Sequence, residues 1–338
     1  MTRVQKNKWL IYGANGYTGK MIVRHCVEKG LRPVIAGRNG NAITKLATEL
    51  NLESRVFDLD DLDVIQNNLE DCTLVLHCAG PFDRTCPAMA RAAINAGSHY
   101  LDITGEISVF EHLQALDVKA KEANVTLLPG VGFDVVPTDC IARHLKRVMP
   151  DAHTLELAFV GPNKAASGSI KTALQQLPYG SKIRKNGNII SVPHFSKKRS
   201  LTIDNKKHTV YTIPWGDVFT AYYSTHIPNI TVYTSFPREQ IIALTLAQPA
   251  SQALKNKTVL AVAKKVVERL IPDPDDNYMQ TAYCYIWGEV KNKSGRKYSA
   301  IIKTKDTYSL TIETALLIVE KVLAGNTTSG FQTPSLLF

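Results

Sequence analysis

Short apolar runs alternate with amphipathic stretches along the first 130 residues of the chain. The apolar runs predict buried strands at residues 9–12, 34–36, 55–58, 73–78, 99–103 and 125–128. Between them, apolar residues return at helical spacing, as Ile43, Leu46 and Leu50 do within residues 42–50. This alternation of strands and helices predicts an α/β fold with a parallel sheet that is covered on both faces.

The pattern changes after a cluster of turn residues, Pro129-Gly130-Val131-Gly132. A helix is then predicted at 139–147 and a second helical stretch at 239–270, interrupted near Pro249. Polar–apolar alternation predicts strands at 154–160, 189–192, 208–213, 229–233, 282–290 and 299–304. Residues 311–324 predict an amphipathic helix that ends at Gly325 and resembles the first region.

These patterns predict two domains. A Rossmann-type, doubly wound parallel sheet is expected in residues 1–131 and about 308–338, because the last helix resembles the first region. Residues 132–307 are expected to form an inserted α+β domain with a mostly antiparallel sheet. We expect this inserted domain to bind the substrate and to mediate dimerisation.

A glycine turn follows the first predicted strand. Gly13, Gly16 and Gly19 allow a tight turn, a close approach of the backbone to a pyrophosphate, and close packing of the next helix. The helix predicted at 17–28 directs its N-terminal amides at the phosphates. The spacing GxxGxxG differs from the commoner GxGxxG, and such turns can be purely structural. The strand–turn–helix context nevertheless favours a dinucleotide site.

The end of the second predicted strand indicates which dinucleotide is bound. An NAD site carries Asp or Glu there, whereas this chain has Gly37-Arg38-Asn39. The Arg38 guanidinium suits a 2′-phosphate, which predicts NADP (NADPH when reduced); the alternative is a solvated surface arginine. Asp58 is expected to contact the adenine or to belong to a helix cap. The predicted cofactor-binding residues are Gly13, Ala14, Asn15, Gly16, Tyr17, Thr18, Gly37, Arg38, Asn39, Asp58, Ala79, Gly80, Pro81 and Phe82.

The composition, 44% hydrophobic and 21% charged, is that of a soluble globular protein. The six cysteines show no CxxC pairing, so neither a metal site nor a disulfide framework is predicted. The N-terminal residues are polar and basic and resemble no signal peptide, and no run is long enough to span a bilayer, so a cytoplasmic protein is expected.

The net charge of +10 is unevenly distributed: residues 164–210 contain ten basic residues and one acidic residue, Asp204. The excess of basic residues in this segment has two explanations. It forms either a solvated face or a surface that attracts an anionic substrate, an acidic carrier or a membrane. Residues 241–246, with nearby basic residues, could support peripheral membrane contact. Nucleic acid is not expected as a partner, because no recognition motif accompanies the charge.

Several motifs of the chain can be taken together: residues 12–19 with the glycine turn, 36–39, 79–82, 100–106, 132–139 and, near the C-terminus, Gly330 with Thr333-Pro334. In these motifs the chain resembles the saccharopine dehydrogenase-like oxidoreductases, including the trans-acting enoyl reductase-like members. The resemblance is dense over residues 9–140 and thin over 150–305. It implies an NADP-dependent oxidoreductase, without implying saccharopine as the substrate, and a homodimer built on the sheet of the second domain.

Three residues are candidates for catalysis. Asp134 follows a predicted strand end, and Glu106 lies in a loop at the same edge of the sheet. Lys171 could meet an anionic group of the substrate. Each has a structural alternative: a cap or hinge for Asp134, a helix cap for Glu106, and a surface lysine for Lys171. His77 lies within a strand, which favours a packed core histidine.

Two functional hypotheses follow. In the first, the protein is an enzyme that transfers a hydride to a C=C or C=N bond of a small-molecule or carrier-linked substrate, such as an enoyl-thioester. In the second, it is a non-catalytic NADP-binding protein that senses redox state or docks to a partner. The large second domain favours the enzyme, since a sensor needs no substrate cleft.

Overall fold

The computed structural model of the chain describes residues 6–161, 167–236, 241, 249–270 and 281–338. The chain divides into two compact units, which we call the first and the second unit. The first unit consists of Met1–Val136 with Tyr308–Phe338, and the second of Pro137–Thr307. None of the helices in the described ranges is long and apolar enough to cross a membrane.

From the N-terminus to residue 128, strands and helices alternate. The elements are β1 (Lys8–Tyr12), α1 (Tyr17–Glu28), β2 (Val34–Gly37), α2 (Gly40–Leu50), β3 (Ser54–Val56), α3 (Leu62–Asn67), β4 (Cys72–His77), α4 (Phe82–Ala96), β5 (His99–Asp102), α5 (Ile107–Ala115), α6 (Asp117–Glu122) and β6 (Thr126–Leu128). Polar side chains begin two of the helices: Asn39 accepts a hydrogen bond from the Ala42 amide in α2, and Asp61 caps α3 in the same way.

The second unit begins with a helix and continues mainly as strands. Its elements, apart from short 3₁₀ turns, are α7 (Val136–Val148), β7 (Ala152–Val160), α8 (Ser167–Gln176), β8 (Ser181–Lys185), β9 (Asn188–Val192), β10 (Lys198–Ile203), β11 (Lys206–Thr212), α9 (Asp217–Thr225), β12 (Asn229–Ser235), α10 (Lys257–Leu270), β13 (Tyr283–Asn292) and β14 (Lys297–Lys305). The chain then returns to the first unit through α11 (Thr307–Leu323), β15 (Gly330–Phe331) and α12 (Pro334–Leu337).

The sheet of the first unit is parallel throughout, in the order β15-β6-β5-β4-β1-β2-β3. Its central strands are apolar on both faces: Leu10 and Ile11 of β1 are fully buried. α11 packs into this core through Ala315, Leu316 and Val319. The expected Rossmann-type sheet is confirmed, and β15 adds a strand at the edge beside β6 that the sequence patterns did not predict.

The sheet of the second unit is mostly antiparallel, in the order β10-β11-β12-β7-β13-β14, with β8 and β9 attached through β12. One pair, β12 with β7, is parallel. α7 covers one face: a Cβ on Gly288 of β13 would lie 2.8 Å from Leu145 Cδ1 of α7. The expected mostly antiparallel sheet is confirmed.

Sequence patterns missed several elements of the second unit. α8, α9, β8 and β10 were not predicted, and α7 begins at Val136 rather than at residue 139. β8 (Ser-Lys-Ile-Arg-Lys) and β10 (Lys-Arg-Ser-Leu-Thr-Ile) carry so many charges that their apolar alternation is weak. Of the helical stretch predicted at 239–270, residues 239–240 and 242–248 lie outside the described residues, as does most of the segment proposed for membrane contact; α10 occupies Lys257–Leu270.

Candidate functional site

The order of the parallel sheet reverses between β1 and β4. The chain moves outward through β2 and β3, and then crosses to the other side of β1 to form β4, β5 and β6. The chain therefore leaves β1 towards β2 and leaves β4 in the opposite direction, towards β5. In open parallel sheets, ligands bind in the resulting crevice at the carboxyl ends of the strands.

The turn after β1 requires glycine at its first position. Gly13 has φ +81°, and its amide donates a hydrogen bond of 2.8 Å to the Ala36 carbonyl of β2. A Cβ on Gly13 would lie 2.8 Å from Ala79 Cβ and 2.9 Å from the Cys78 carbonyl carbon, both beyond the end of β4. The two loops at the crevice are thus in direct contact, and only a residue without a side chain allows it.

Two further glycines permit close approaches around this turn. A Cβ on Gly19 of α1 would lie 2.3 Å from the Gly13 carbonyl oxygen, and one on Gly37 would lie 2.9 Å from Asn15 Oδ1. α1 begins after Gly16, which has no side chain to cap it, and its first turn contains no acidic residue. The partial positive charge at this helix N-terminus is therefore not offset by the first turn itself, which suits an anion such as a pyrophosphate.

The predicted pyrophosphate-binding residues all lie on this turn and on the start of α1. Gly13 and Ala14 are buried, Asn15 and Gly16 are exposed, and Tyr17 and Thr18 are half-buried. The structure therefore brings these six residues together as one continuous strip of backbone.

The ends of β2 and β3 carry the other predicted cofactor residues. Arg38 is exposed, and it forms no ion pair or side-chain hydrogen bond within the described parts of the chain. Asn39 uses its side chain to cap α2, accepting a 3.1 Å hydrogen bond from the Ala42 amide. Asp58 is exposed and accepts a 3.2 Å hydrogen bond from the Asp60 amide. Asn39 and Asp58 therefore have local structural roles, whereas the Arg38 guanidinium is available to an anion.

The surroundings of Tyr12 show that the ends of β1, β2 and β3 lie close to one another. Its hydroxyl donates a 3.0 Å hydrogen bond to the Phe57 carbonyl, and burial raises its pKa to about 12. The positive charge of Arg38 acts against this rise, and the negative charge of Asp58 adds to it. Arg38 and Asp58 thus act on the same hydroxyl, which places the ends of β1, β2 and β3 around one region.

The loop after β4 meets a predicted catalytic residue. Both oxygens of the Glu106 carboxylate accept hydrogen bonds from the first amides of α4, at 3.0 Å from Phe82 and 3.1 Å from Asp83. The Thr85 hydroxyl donates to the Ala79 carbonyl at 2.7 Å and fixes the loop from the other side. Glu106 therefore holds residues 79–82 in place through the start of α4, as a helix cap would.

Burial changes the acidity of Glu106. Its side chain is buried, which raises its pKa to about 7; the amides of Phe82 and Asp83 act against the rise, and the charges of Asp83 and Asp102 add to it. A carboxyl group with this pKa exchanges a proton near neutral pH.

Asp134 lies beside Glu106. A Cβ on Gly105 would come within 2.9 Å of Asp134 Oδ2, so the carboxyl group packs directly on the Gly105–Glu106 backbone. Burial, together with the negative charge of Glu106, raises the pKa of Asp134 to about 7. The structure therefore brings two predicted catalytic residues close together, and the pKa of each is raised to about 7.

Asp102 is a buried acidic residue beside the candidate site that the sequence patterns did not single out. Its buried carboxylate accepts hydrogen bonds from the Tyr100 hydroxyl at 2.8 Å and from the Thr104 and Gly130 amides at 3.0 Å each. Burial raises its pKa to about 6, against the effect of these hydrogen bonds. It ties the loop that bears Glu106 to the loop that leads to Asp134. An acidic residue ending a buried strand is the signal that could have found it.

The third candidate, Lys171, belongs to the other unit, and His77 has the core position expected of it. Lys171 is half-buried in α8 of the second unit, whereas Glu106 and Asp134 belong to the first unit. His77 is fully buried among Tyr12, Phe82 and Tyr100, and its Nε2 lies 2.9 Å from Thr85 Oγ1. Burial lowers the pKa of His77 to about 3, as expected of a neutral core histidine.

The geometry of the first unit agrees with a known domain family. Residues 9–128 match the family model described as the saccharopine dehydrogenase NADP binding domain. The matched range contains the glycine turn, Arg38, the loop after β4 and Glu106; Asp134 lies beyond it.

Relatives of known description match part of the chain. A lipid droplet localized protein of Caenorhabditis elegans is 26% identical over 152 residues, covering 41% of this chain and 36% of that protein. The trans-acting enoyl reductase of Mycobacterium leprae is 28% identical over 158 residues, covering 44% and 37%. The human saccharopine dehydrogenase-like oxidoreductase is 25% identical over 206 residues, covering 53% and 48%. The chain thus matches between about a third and a half of the length of these relatives.

Solved structures resemble the chain over nearly its whole length. Apo saccharopine dehydrogenase (L-Glu forming) from Saccharomyces cerevisiae superposes with a TM-score of 0.64 at 13% identity, covering 97% of this chain and 94% of that one. Homospermidine synthase from Legionella pneumophila, in complex with NAD, has a TM-score of 0.63 at 12% identity, covering 98% and 86%. These likenesses establish a shared fold. In sequence, residues 9–128 of this chain match the NADP binding domain of saccharopine dehydrogenase.

Proposed function

We propose that the protein is an NADP-dependent oxidoreductase that transfers a hydride to a C=C or C=N bond of a substrate such as an enoyl-thioester. The observation that carries the proposal is that a glycine turn and two carboxyl groups lie at the same edge of the parallel sheet. The glycine turn at Gly13 and the carboxyl pair of Glu106 and Asp134 all lie at the carboxyl ends of its strands. Relatives described as oxidoreductases and as enoyl reductases support it.

The residues of the first unit fit the dinucleotide. The backbone of residues 13–18 and the uncapped start of α1 would hold the pyrophosphate. Arg38 would bind the 2′-phosphate, because its guanidinium is exposed and has no carboxylate partner within the described residues. Residues 79–82, fixed by Thr85 and Glu106, would border the other half of the cofactor.

The carboxyl pair would handle the proton. Bound NADPH supplies the hydride, so reduction of a double bond also needs one proton. Asp134 is the better donor of the two, because its residue is only half-buried, whereas Glu106 is buried and caps α4 with both carboxylate oxygens. With a pKa raised to about 7, Asp134 is protonated in a substantial fraction of molecules at neutral pH and can be reprotonated by water. Glu106 would then act by keeping that pKa high.

One observation favours the alternative of a non-catalytic NADP-binding redox sensor or docking protein. The Glu106 carboxylate is fully used in capping α4, so its burial has a sufficient structural reason. In that case the loop of residues 79–82 would respond to the bound cofactor without any chemistry.

A binding experiment tests the cofactor part of the proposal. Arg38→Glu should weaken NADPH binding by at least about 30-fold and leave NADH binding within about threefold, since only NADPH has the 2′-phosphate; a charge-assisted bidentate pair is worth about 2 kcal/mol. Lys45→Glu, the same charge change on the exposed side of α2, is the control and should change neither. Equal losses for both nucleotides in Arg38→Glu would contradict the assignment.

A turnover experiment separates the enzyme from the sensor. NADPH oxidation is followed with enoyl-thioesters and with imines. Asp134→Asn should lower kcat by about 100-fold while the Kd for NADPH stays within about twofold. If wild-type protein binds NADPH tightly and oxidises it with neither substrate class, the sensor replaces the enzyme as the favoured function.

A further inference from the structure

The strand β14 lies at one edge of the second sheet, and no other strand of the described residues pairs on its outer side. β14 is the last strand in the order of the sheet, and among the described residues it pairs with β13 only. The antiparallel register is unbroken, from Tyr283 opposite Lys305 to Lys291 opposite Lys297. Because β14 is nine residues long, it presents a row of backbone N–H and C=O groups on the side away from β13.

Large apolar side chains are exposed on this edge strand. Tyr298 is 44% exposed, Ile301 47% and Ile302 39%. The neighbouring β13 differs, since Ile286 is fully buried and Gly288 packs against α7. The cover over β13 therefore stops short of β14, and residues that favour a half-buried sheet remain in solvent on both of its faces.

The two faces of β14 carry different chemistry. Alternation along the strand places Lys297, Ser299, Ile301, Lys303 and Lys305 on one face, and Tyr298, Ala300, Ile302 and Thr304 on the other. No residue of Lys297–Lys305 is acidic. Glu289, which lies opposite Ser299, is held by Arg199 at 2.8 Å and by Lys297 at 3.6 Å. One face of the strand is thus cationic, and the other is apolar.

A second copy of β14 would be a poor partner for this edge. Antiparallel pairing centred on Ile301 would set Lys297 opposite the Lys305 of the other copy at both ends of the pair. Like charges directly opposite each other in a sheet are destabilising, and lysines on edge strands prevent self-association in this way. The same lysines would attract a strand that carries carboxylates at the facing positions.

We infer that β14 is a docking edge for an extended segment of a partner protein in which acidic residues alternate with β-branched or aromatic residues. The segment adds as an antiparallel strand, and its main-chain groups pair with the outward groups of β14. Its carboxylates face Lys297, Lys303 and Lys305, and its apolar side chains cover Tyr298 and Ile302. The inference does not depend on the proposed oxidoreductase activity.

The test uses a fluorescently labelled nine-residue peptide with Glu at odd positions and Val at even positions, and measures its anisotropy with the full chain at low salt. Binding is expected, with a Kd that rises at least tenfold in Lys303→Glu and also rises with salt. Lys45→Glu, an equal charge change on α2 of the first unit, should bind the peptide as the wild type does. Amides within 297–305 should become protected from hydrogen exchange when the peptide is bound.

Two controls distinguish strand addition from attraction between charges. The same peptide N-methylated at alternate residues, on its pairing edge, cannot form the ladder, and it should not bind. Vesicles containing phosphatidylserine should not compete with the peptide. Equal binding of the methylated peptide, competition by the vesicles, or equal effects of Lys303→Glu and Lys45→Glu would each overturn the inference.

Discussion

The two units differ in which part of the chain forms their distinctive features, the backbone in one and the side chains in the other. In the first unit, the crevice is built from backbone: Gly13 touches Ala79 across the point where the sheet reverses, and no other residue type permits it. In the second unit, the distinctive features are side chains on a mixed sheet, such as the lysines of β14 and the ion pairs of Arg199. Backbone requirements restrict residue identity strongly, whereas many residue types can form a charged surface. A site of the first kind is therefore visible in a sequence, and one of the second kind becomes visible only in the fold.

The largest effect should come from breaking the backbone contact in the first unit. Gly13→Ala places a Cβ 2.8 Å from Ala79 in a residue with φ +81°. The left-handed conformation costs about 1–2 kcal/mol, and overpacking adds about 1–3 kcal/mol. We expect the loops after β1 and β4 to separate, with a loss of more than about 100-fold in NADPH affinity, measured by titration calorimetry.

Gly30→Ala is a matched control for this contact. Gly30 also has positive φ, at +78°, but a Cβ there would meet nothing within 4 Å. It should cost about 1–2 kcal/mol in denaturant unfolding and leave NADPH affinity unchanged. Similar NADPH affinities in the two alanine variants would show that the contact between Gly13 and Ala79 does not shape the cofactor site.

Most of the first unit could be predicted from the sequence for this reason. The continuous apolar strands and the glycine turn each have a local cause, so strands were expected close to where β1, β2 and β4 lie. The two-residue β15 could not be found in the same way, since its pairing with β6 joins residues about 200 apart in the chain. In the second unit, β8 and β10 carry too many charges for alternation to reveal them.

The candidate site could also be predicted only in part from the sequence. Glu106 and Asp134 were selected because they follow strand ends, but no pattern in the chain indicates that they lie side by side or that burial raises both pKa values to about 7. Asp102 was missed because its three hydrogen bonds come from Tyr100, Thr104 and Gly130, which only the fold brings around one carboxylate. Acidity depends on burial and neighbouring charge, and both are properties of the tertiary structure.

A smaller effect is expected when the charge network of the second unit is broken. The Arg199 guanidinium lies 4.5 Å from the centre of the Trp287 ring and pairs with Glu156 and Glu289. Arg199→Met keeps much of the packing on Trp287 but removes the guanidinium from both carboxylates, leaving Glu289 only its longer contact with Lys297 among the described residues. This should cost about 1–3 kcal/mol of unfolding free energy in urea.

A double variant sharpens this expectation. Adding Glu289→Gln to Arg199→Met removes one of the stranded charges and should recover part of the loss. The Kd for NADPH should stay within about twofold in both variants, because the network belongs to the second unit. A large change in that Kd would mean that the second unit contributes to cofactor binding, and that binding does not depend on the first unit alone.

Per pH unit, the smallest effect concerns how the stability of the first unit depends on pH. The pKa of Asp134 is raised to about 7 in the folded protein, against about 3.9 in the unfolded chain. Between these values the folded state binds a proton that the unfolded state lacks, so this group's contribution to stability is full below about pH 4 and is lost as the pH rises through 7. Asp134→Asn cannot titrate, so the variant should gain stability relative to the wild type as the pH rises from 5 to 8, by at most about 1.4 kcal/mol per pH unit. Urea unfolding across this range measures the difference, and Glu111→Gln, at an exposed position of α5, should show no such trend. A difference between Asp134→Asn and wild type that stays constant with pH would mean that the Asp134 carboxyl is ionised throughout, and the proton donor would then have to be another group.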